Sequence, residues 1–199
     1  MIPAVKADEK EKHQGRQFQI RYDFSQDNYL VKDLGIGYGV FTESIGAIPL
    51  RDNQLINMGE SYMVTNLVPA TEEEEFDFNE GNPISKVKLR VFSVSKSDTP
   101  DLYSFVDPEQ ELIIGRSPNC DIRIDDELLS KMQSTIAFDR DQQQWCITDG
   151  YKDKPSTNGT WIYLNEEVPI HSGMLLKSNQ TFFQANLYDA DGKETRDVD

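Results

Sequence analysis

Three short stretches of this chain carry cationic, hydroxyl and carboxamide side chains that could together bind a small anion. They are IIGRSPNCDIRI (113–124), LLSKMQSTI (128–136) and KPSTNGTW (154–161). Arg116 offers a planar fork of donors, Lys131 offers a point charge, and Ser130 and Thr157 offer hydroxyl groups. A phosphomonoester is nearly dianionic at neutral pH and has strong acceptor oxygens, so it suits these groups. The stretches therefore predict a phosphate-binding site built from separate loops.

Each stretch has the pattern of a strand end joined to a turn. The apolar run 112–114 ends at Gly115, and turn-forming residues follow it at 117–119. In the third stretch, turn formers at 155–159 precede β-branched and aromatic residues. This pattern predicts that Arg116 lies just past a strand end and that Thr157 and Asn158 lie at a loop apex. In the alternative interpretation, Arg116 pairs with Asp121 or Asp125 and the hydroxyl groups cap turns.

The arrangement resembles the forkhead-associated (FHA) domain, a β-sandwich that reads phosphothreonine in partner proteins. The resemblance covers roughly 86–187, and the residues that carry it are Gly115, Arg116, Ser130, Lys131, Thr157, Asn158, Gly159 and Thr160. It implies that Arg116 grips the phosphate and that Ser130, Lys131 and Thr157 add donors. It also implies that Asn158 holds the main chain of the bound peptide. Gln133 replaces the family's usual histidine, and its amide can still brace the loop through hydrogen bonds.

An internal repeat is the second feature of the sequence. Residues 48–67 align without gaps on 168–187, and 17–33 align on 133–149 with a shift of four residues between the two blocks. The early copy lacks the predicted phosphate-binding groups, because Gln14 and Gly15 replace Ser130 and Lys131 in it. Gly37 and Tyr38 likewise stand in place of Thr157 and Asn158. The fold class predicted is therefore all-β: an FHA-type sandwich preceded by a partial, degenerate FHA-like lobe.

These patterns predict five segments along the chain. They are a polar extension (1–16), a partial degenerate lobe (17–69), an acidic linker (70–84), an FHA domain (85–189) and a polar tail (190–199). Half a sandwich exposes an apolar face and strand edges, so the early lobe needs a partner. Three arrangements satisfy this need: packing on the second domain, pairing with strands of another chain, or a gene product that is longer at its N-terminus.

The strands of the second copy should bury one face. KVKLRVFSV (86–94) alternates apolar with basic or polar residues, which is typical of a strand with one wet face. Large apolar residues are candidates for the core of this copy, namely Ile136, Phe138, Trp145, Ile147, Leu175, Phe182 and Leu187.

Composition restricts the classes of partner and the cellular compartment that fit this chain. The net charge of −15 disfavours nucleic acid or an anionic membrane as the main partner. No apolar run approaches the roughly 18 residues of a membrane helix, and Cys120 and Cys146 are expected to be free thiols. We therefore expect a soluble protein of a reducing compartment, namely the cytoplasm. Association with the cytoskeleton or cilium is compatible with this expectation, and so is a nuclear location. The acids at 125–127 favour basic residues beside the phosphothreonine.

The residues give little support to catalysis. His13 and His171 are the only histidines, and neither has a metal-ligand partner at a suitable spacing. We expect no catalytic residue, no metal and no cofactor. The predicted function is that of a non-catalytic adaptor that recruits a phosphothreonine-containing protein and belongs to an assembly with other subunits. The alternative is a structural scaffold subunit, of cytoskeletal or ciliary type, whose FHA-like domains dock without phosphate.

Overall fold

The computed structural model describes residues 16–69, 85–96 and 99–195, and every regular element in these ranges is a β-strand. The strands are β1 (Phe18–Asp23), β2 (Asn28–Asp33), β3 (Val40–Glu43), β4 (Ala47–Pro49), β5 (Leu55–Met58), β6 (Ser61–Pro69), β7 (Ser85–Phe92), β8 (Asp101–Phe105), β9 (Leu112–Gly115), β10 (Ile122–Arg123), β11 (Ser134–Asp139), β12 (Gln144–Asp149), β13 (Thr160–Tyr163), β14 (Val168–Pro169), β15 (Leu175–Ser178) and β16 (Thr181–Gln184). The all-β prediction is confirmed. The predicted linker 70–84, nearly all of the extension 1–16 and the end of the tail lie outside the described residues.

The chain divides into two compact units. We call residues 44–161 the central unit, and residues 16–43 with 162–195 the terminal unit. Strand β13 contains the boundary between them. The units are defined by contacts in space and combine segments of both repeat copies, so the domain boundaries predicted along the chain stay a prediction.

The central unit contains two groups of paired strands. One has the order β10-β9-β11-β12-β4, and the other has the order β5-β6-β7-β8. β7 buries Val87, Leu89 and Val91 and exposes the residues between them, which confirms the predicted wet face. Side chains from both groups are withdrawn from solvent, including Ile56, Met63, Leu112, Ile136, Trp145 and Ile147. Burying aliphatic and aromatic side chains of this size is the main force that holds such a sandwich together.

The terminal unit joins the first strands of the chain to the last ones. β1, β2 and β14 form one sheet in the order β1-β2-β14, and β16-β15-β3 are neighbours in another. Its core is a cluster of Val31, Val40, Leu164, Ile170, Met174 and Leu176. Phe18, Val168, Ala185 and Leu187 pack against this cluster and are partly buried.

The pairing registers of the strands repeat as the sequence does. Phe18 pairs with Asp33 across the β1–β2 hairpin, just as Ser134 pairs with Asp149 across the β11–β12 hairpin. The β5–β6 and β15–β16 hairpins likewise have one register, in which Leu55 and Leu175 occupy the same position. The two copies therefore build the same hairpins with the same alignments.

One equivalent strand in each copy, β4 in the early copy and β14 in the late copy, pairs with a strand of the other copy. β4 of the early copy pairs with β12, with Ile48 opposite Ile147, and β14 of the late copy pairs with β2, with Val168 opposite Val31. β6 also pairs along its length with β7 of the late copy. The segment 47–69 thus belongs to the central unit and the segment 168–184 to the terminal unit.

The prediction that Phe182 lies in a core is wrong. Phe182 is 57% exposed, because it lies on β16, which ends its sheet, and the Lys177 ammonium nitrogen lies 6.0 Å from the centroid of its ring. Ile136, Trp145 and Ile147 are buried as predicted, and Phe138 is partly buried against Trp145. Leu175 and Leu187 are partly buried in the terminal unit and not with the strands of the central unit.

Candidate functional site

Arg116 directly follows β9, as its sequence context predicts. Its main-chain N–H donates to the carbonyl oxygen of Ser130 at 3.2 Å, and its Nε donates to the carbonyl oxygen of Leu129 at 2.8 Å. The residue is exposed, and no carboxylate among the described residues forms an ion pair with its guanidinium group. The Asp121 carboxylate instead accepts the Ile113 N–H at 2.8 Å. The guanidinium group is therefore oriented by a backbone carbonyl, and its terminal nitrogens are left to other acceptors.

Gly115 and Lys131 lie where two loops meet closely. A Cβ atom at Gly115 would stand 2.4 Å from the carbonyl oxygen of Lys131, so only glycine fits there. That same carbonyl accepts the Ser117 N–H at 3.1 Å. The Lys131 side chain is exposed, and within the described ranges its ammonium group has no hydrogen bond or ion pair. The backbone thus brings the cations of both loops to one region.

Ser130 and Thr157 are in direct contact. The Thr157 N–H donates to Ser130 Oγ at 2.9 Å, and the Ser130 hydroxyl donates to Thr157 Oγ1 at 3.2 Å. Ser130 lies in the loop before β11, and Thr157 lies in the loop between β12 and β13. The tertiary structure therefore joins two hydroxyl groups that are far apart along the sequence.

Gln133 is fully buried and links the same two loops. Its Oε1 accepts the Ser130 N–H at 2.9 Å. Its Nε2 donates to Ser156 Oγ at 2.8 Å and to the carbonyl oxygen of Gly159 at 3.0 Å. A carboxamide can do this because one end accepts while the other donates twice.

Asn158 is anchored at both its side chain and its main chain. Its Nδ2 donates to the carbonyl oxygen of Leu128 at 2.7 Å, and its own carbonyl accepts the indole N–H of Trp161 at 2.8 Å. Gly159 follows in the left-handed region, with a φ of 73°. The loop apex therefore presents Asn158 at the surface while the neighbouring Trp161 stays buried.

A carboxylate that the sequence analysis did not single out organises the loop between β12 and β13. Asp149 accepts the N–H and the hydroxyl of Ser156 at 2.9 and 2.7 Å, and the hydroxyl of Thr160 at 2.7 Å. Thr160 also shares a 2.6 Å hydrogen bond with Ser134. The signal was present in the repeat, because Asp33 occupies the position of Asp149 in the early copy and is itself buried.

The acidic stretch beside the site is only partly exposed. Asp125 and Glu127 are at the surface, whereas Asp126 is 3% exposed and accepts hydrogen bonds from two N–H groups and one hydroxyl. A buried carboxylate that is satisfied in this way is not available to contact a ligand directly. The carboxylates of this stretch that reach the surface are therefore two and not three.

Both cysteines are free, and burial raises the pKa of each thiol. Cys146 lies in β12, while Cys120 lies in the turn before β10, where its thiol contacts the carbonyl oxygen of Lys131 at 3.2 Å. Across the described residues, no group of three or more histidine, cysteine or acidic side chains could hold a metal ion. The same residues contain no helix long and apolar enough to cross a membrane.

The comparison with family models supports the class that these loops indicate. Residues 112–182 match the model described as FHA domain. No curated protein and no solved structure matches the chain. This segment is therefore similar to FHA domains, which are protein-interaction modules that bind phosphopeptides and are typically non-catalytic.

The matched span does not coincide with either compact unit. It runs from β9 into β16, so it includes strands of the terminal unit and leaves out β4–β8 of the central unit. The family pattern follows the order of the chain, whereas the sandwich takes part of its strands from the early copy.

Proposed function

We propose that this protein is an adaptor that binds a threonine-phosphorylated segment of a partner protein. The ligand lies against the loops that follow β9, precede β11 and connect β12 with β13. The observation that carries the proposal is the direct contact between Ser130 and Thr157 beside an arginine that has no carboxylate partner in the described residues. A surface with cationic and hydroxyl donors on several loops favours an anionic ligand, because hydrogen bonds between ionised groups are stronger than neutral ones.

The chemistry of a phosphate ester suits these groups. The fixed Arg116 guanidinium offers two terminal nitrogens to two phosphate oxygens, and Lys131 adds a second positive charge. Thr157 can turn its hydroxyl hydrogen toward a third oxygen, because it accepts and does not donate in its contact with Ser130. Each charge-assisted hydrogen bond contributes about 1.5–3 kcal/mol net, so three of them support binding near the micromolar level, about −8 kcal/mol.

Asn158 is proposed to recognise the main chain of the ligand next to the phosphothreonine. Its contact with Leu128 uses one N–H of the carboxamide and leaves the other N–H and the carbonyl oxygen. These two groups can form paired hydrogen bonds with a peptide unit. Arg116 and Lys131 thereby serve affinity for phosphate, while Asn158 serves the orientation of the peptide.

Titration calorimetry with phosphothreonine peptide libraries tests the proposal. Wild-type protein should bind at least one phosphorylated peptide and not its unphosphorylated form, and Arg116→Ala should weaken binding by about 10- to 100-fold. Arg123→Ala is the matched control, because Arg123 is also exposed and lies in the nearby strand β10. Equal affinity of wild type and Arg116→Ala would remove the mechanism and leave the phosphate-independent scaffold.

A further inference from the structure

The hairpin β5–β6 comes from the repeat copy that lacks the phosphate-binding residues, yet it lies in the unit that has them. Its strand β6 pairs with β7 from Tyr62 opposite Phe92 to Pro69 opposite Ser85. The segment just before it, β4, pairs with β12. The early copy thus supplies β4 to one strand group of the central unit and both β5 and β6 to the other.

The turn of this hairpin is bonded to the loop that carries Ser130. The Glu60 N–H and the Ser61 hydroxyl both donate to Asp126 Oδ2 at 2.8 Å. The other carboxylate oxygen, Oδ1, accepts the Leu128 N–H at 2.9 Å. Ser61 is fully buried, and Asp126 is nearly so, which makes these bonds hard to replace with water.

Gly59 packs against the same loop. Its φ is +58°, and a Cβ atom there would stand 2.7 Å from Leu129 Cδ1 and 2.8 Å from Asp126 Oδ2. The carbonyl oxygen of Leu128 accepts a hydrogen bond from the Asn158 side chain, and that of Leu129 accepts one from the Arg116 side chain. Leu129 therefore both packs against the hairpin turn and orients Arg116, so it is the single residue between the turn and that side chain.

We infer that Gly59 and Ser61 are positioning residues of the phosphopeptide site, and that β5–β6, not the late hairpin β15–β16, completes the domain that contains it. The inference of positioning rests on the proposed function, whereas the choice of hairpin does not. The early copy is then a working part of the site although it contributes no group to the phosphate.

The repeat provides a matched control at each position. Asn179 occupies the position of Gly59 and also has a positive φ, at 54°, and Thr181 occupies the position of Ser61. Pro169 occupies the position of Pro49 and pairs with Leu30. If the late hairpin completed the domain, these three residues would stand where their early counterparts stand now.

A disulfide test in the full chain decides which hairpin pairs with β12. Pro49 lies opposite Cys146, and the Leu50 N–H donates to the Trp145 carbonyl at 2.8 Å, so Pro49 and Cys146 form a non-hydrogen-bonded pair. The Cα atoms of such pairs are about 4.5 Å apart, within the range that a disulfide spans. We would compare Pro49→Cys with Pro169→Cys, each with Cys120→Ser to remove the second native thiol.

Oxidised glutathione accepts the two electrons and two protons of the thiol pair, and the reaction is run near pH 8.5 because burial raises the pKa of the Cys146 thiol. Peptide mapping should find a cross-link between positions 49 and 146 in the first variant and none between 169 and 146 in the second. A cross-link at 169, or none at 49 in folded protein, overturns the inference about the hairpin.

The positioning role is tested by fluorescence anisotropy with a fluorescent phosphothreonine peptide selected on wild type. Ser61→Ala and Gly59→Ala should weaken its binding about fivefold or more, whereas Thr181→Ala and Asn179→Ala should stay within about twofold of wild type. The thermal unfolding temperature of each variant is measured to establish that each is folded at the temperature of the binding assay. Equal effects in the two hairpins overturn the positioning role. If wild type binds no phosphopeptide, the proposed function and the positioning role are both contradicted, whereas the disulfide result remains valid.

Discussion

At the scale of single residues, the proposed site depends on side chains that form hydrogen bonds within the protein and do not contact the ligand. Gln133 is buried and Asp149 is partly buried, and their hydrogen bonds hold the two loops that carry Ser130 and Thr157. Such residues fix geometry because a buried polar group that loses its partner costs about 1–3 kcal/mol.

Replacing Gln133 with leucine should therefore harm both stability and binding. Gln133→Leu leaves the Ser130 N–H and the Gly159 carbonyl without their partner, so the free energy of unfolding should fall by about 2–4 kcal/mol. Urea denaturation measures the loss, and calorimetry with the phosphopeptide measures the affinity. Gln17→Leu changes the equivalent residue of the early copy and should leave affinity unchanged. An equal loss of affinity in both variants would contradict the local role of Gln133.

Gly115 makes a steric prediction. In Gly115→Ala the new methyl group meets the Lys131 carbonyl at 2.4 Å, so the backbone of one loop must move. We expect a loss of about 1–3 kcal/mol in the free energy of unfolding, together with weaker phosphopeptide binding. Gly46→Ala is the control, because Gly46 has a φ of +69° and open space around it. That variant should lose about 1 kcal/mol from backbone strain and keep its affinity.

At the scale of elements, the loop at 125–127 should influence which residues flank the proposed phosphothreonine. Asp125 and Glu127 face solvent, while Asp126 points inward and caps the turn of the β5–β6 hairpin. The two exposed carboxylates should attract basic residues that flank the phosphothreonine, although exposed pairs of this kind contribute only about 0–1 kcal/mol each.

A peptide array tests this charge preference. Wild type should bind phosphothreonine peptides with basic flanks best, and the preference should shrink in the double variant Asp125→Asn, Glu127→Gln. A salt titration should weaken the same preference, because exposed charges are screened over about 8 Å at physiological ionic strength. Strongest binding to acidic flanks would show that Arg116, Lys131 and other cations dominate the local field.

At the scale of the whole molecule, the two units recombine segments that are distant in the sequence. The central unit needs β4–β6, because β6 covers one edge of β7 and β4 covers one edge of β12. A chain cut at the boundaries that the order of the sequence suggests would expose both edges. Uncovered strand edges invite association with other chains.

Two truncated chains test this organisation. Residues 44–161 retain β4–β12 and the first two residues of β13 and should fold as a monomer that binds the phosphopeptide, whereas residues 84–190 lack β4–β6 and should associate or aggregate. Size-exclusion chromatography with light scattering measures the state of each chain, and calorimetry measures binding. A monomeric, binding-competent 84–190 would mean that the late hairpin can take the place of the early one.

Local patterns carried most of the information about the strands and the loops. The alternation in 86–94 predicts the buried face of β7, and the turn formers predict where Arg116, Thr157 and Asn158 lie. Asp149 escaped notice because a single aspartate at a strand end has no local signature, and its role appears only when Ser156 and Thr160 fold onto it. Phe182 is exposed against its prediction, because apolar character alone does not reveal that β16 ends its sheet.

The sequence alone predicted an all-β fold, which the described residues have, a resemblance to an FHA domain, and two hairpins that repeat in the same pattern. It could not determine which of the two hairpins completes the central unit, because β5–β6 and β15–β16 have the same pairing register around a two-residue turn. Strand pairing is decided by long-range contacts, and local preference cannot separate two segments that fit the same edge equally well. The tertiary structure decided it, through β4 on β12, β6 on β7 and the carboxylate of Asp126.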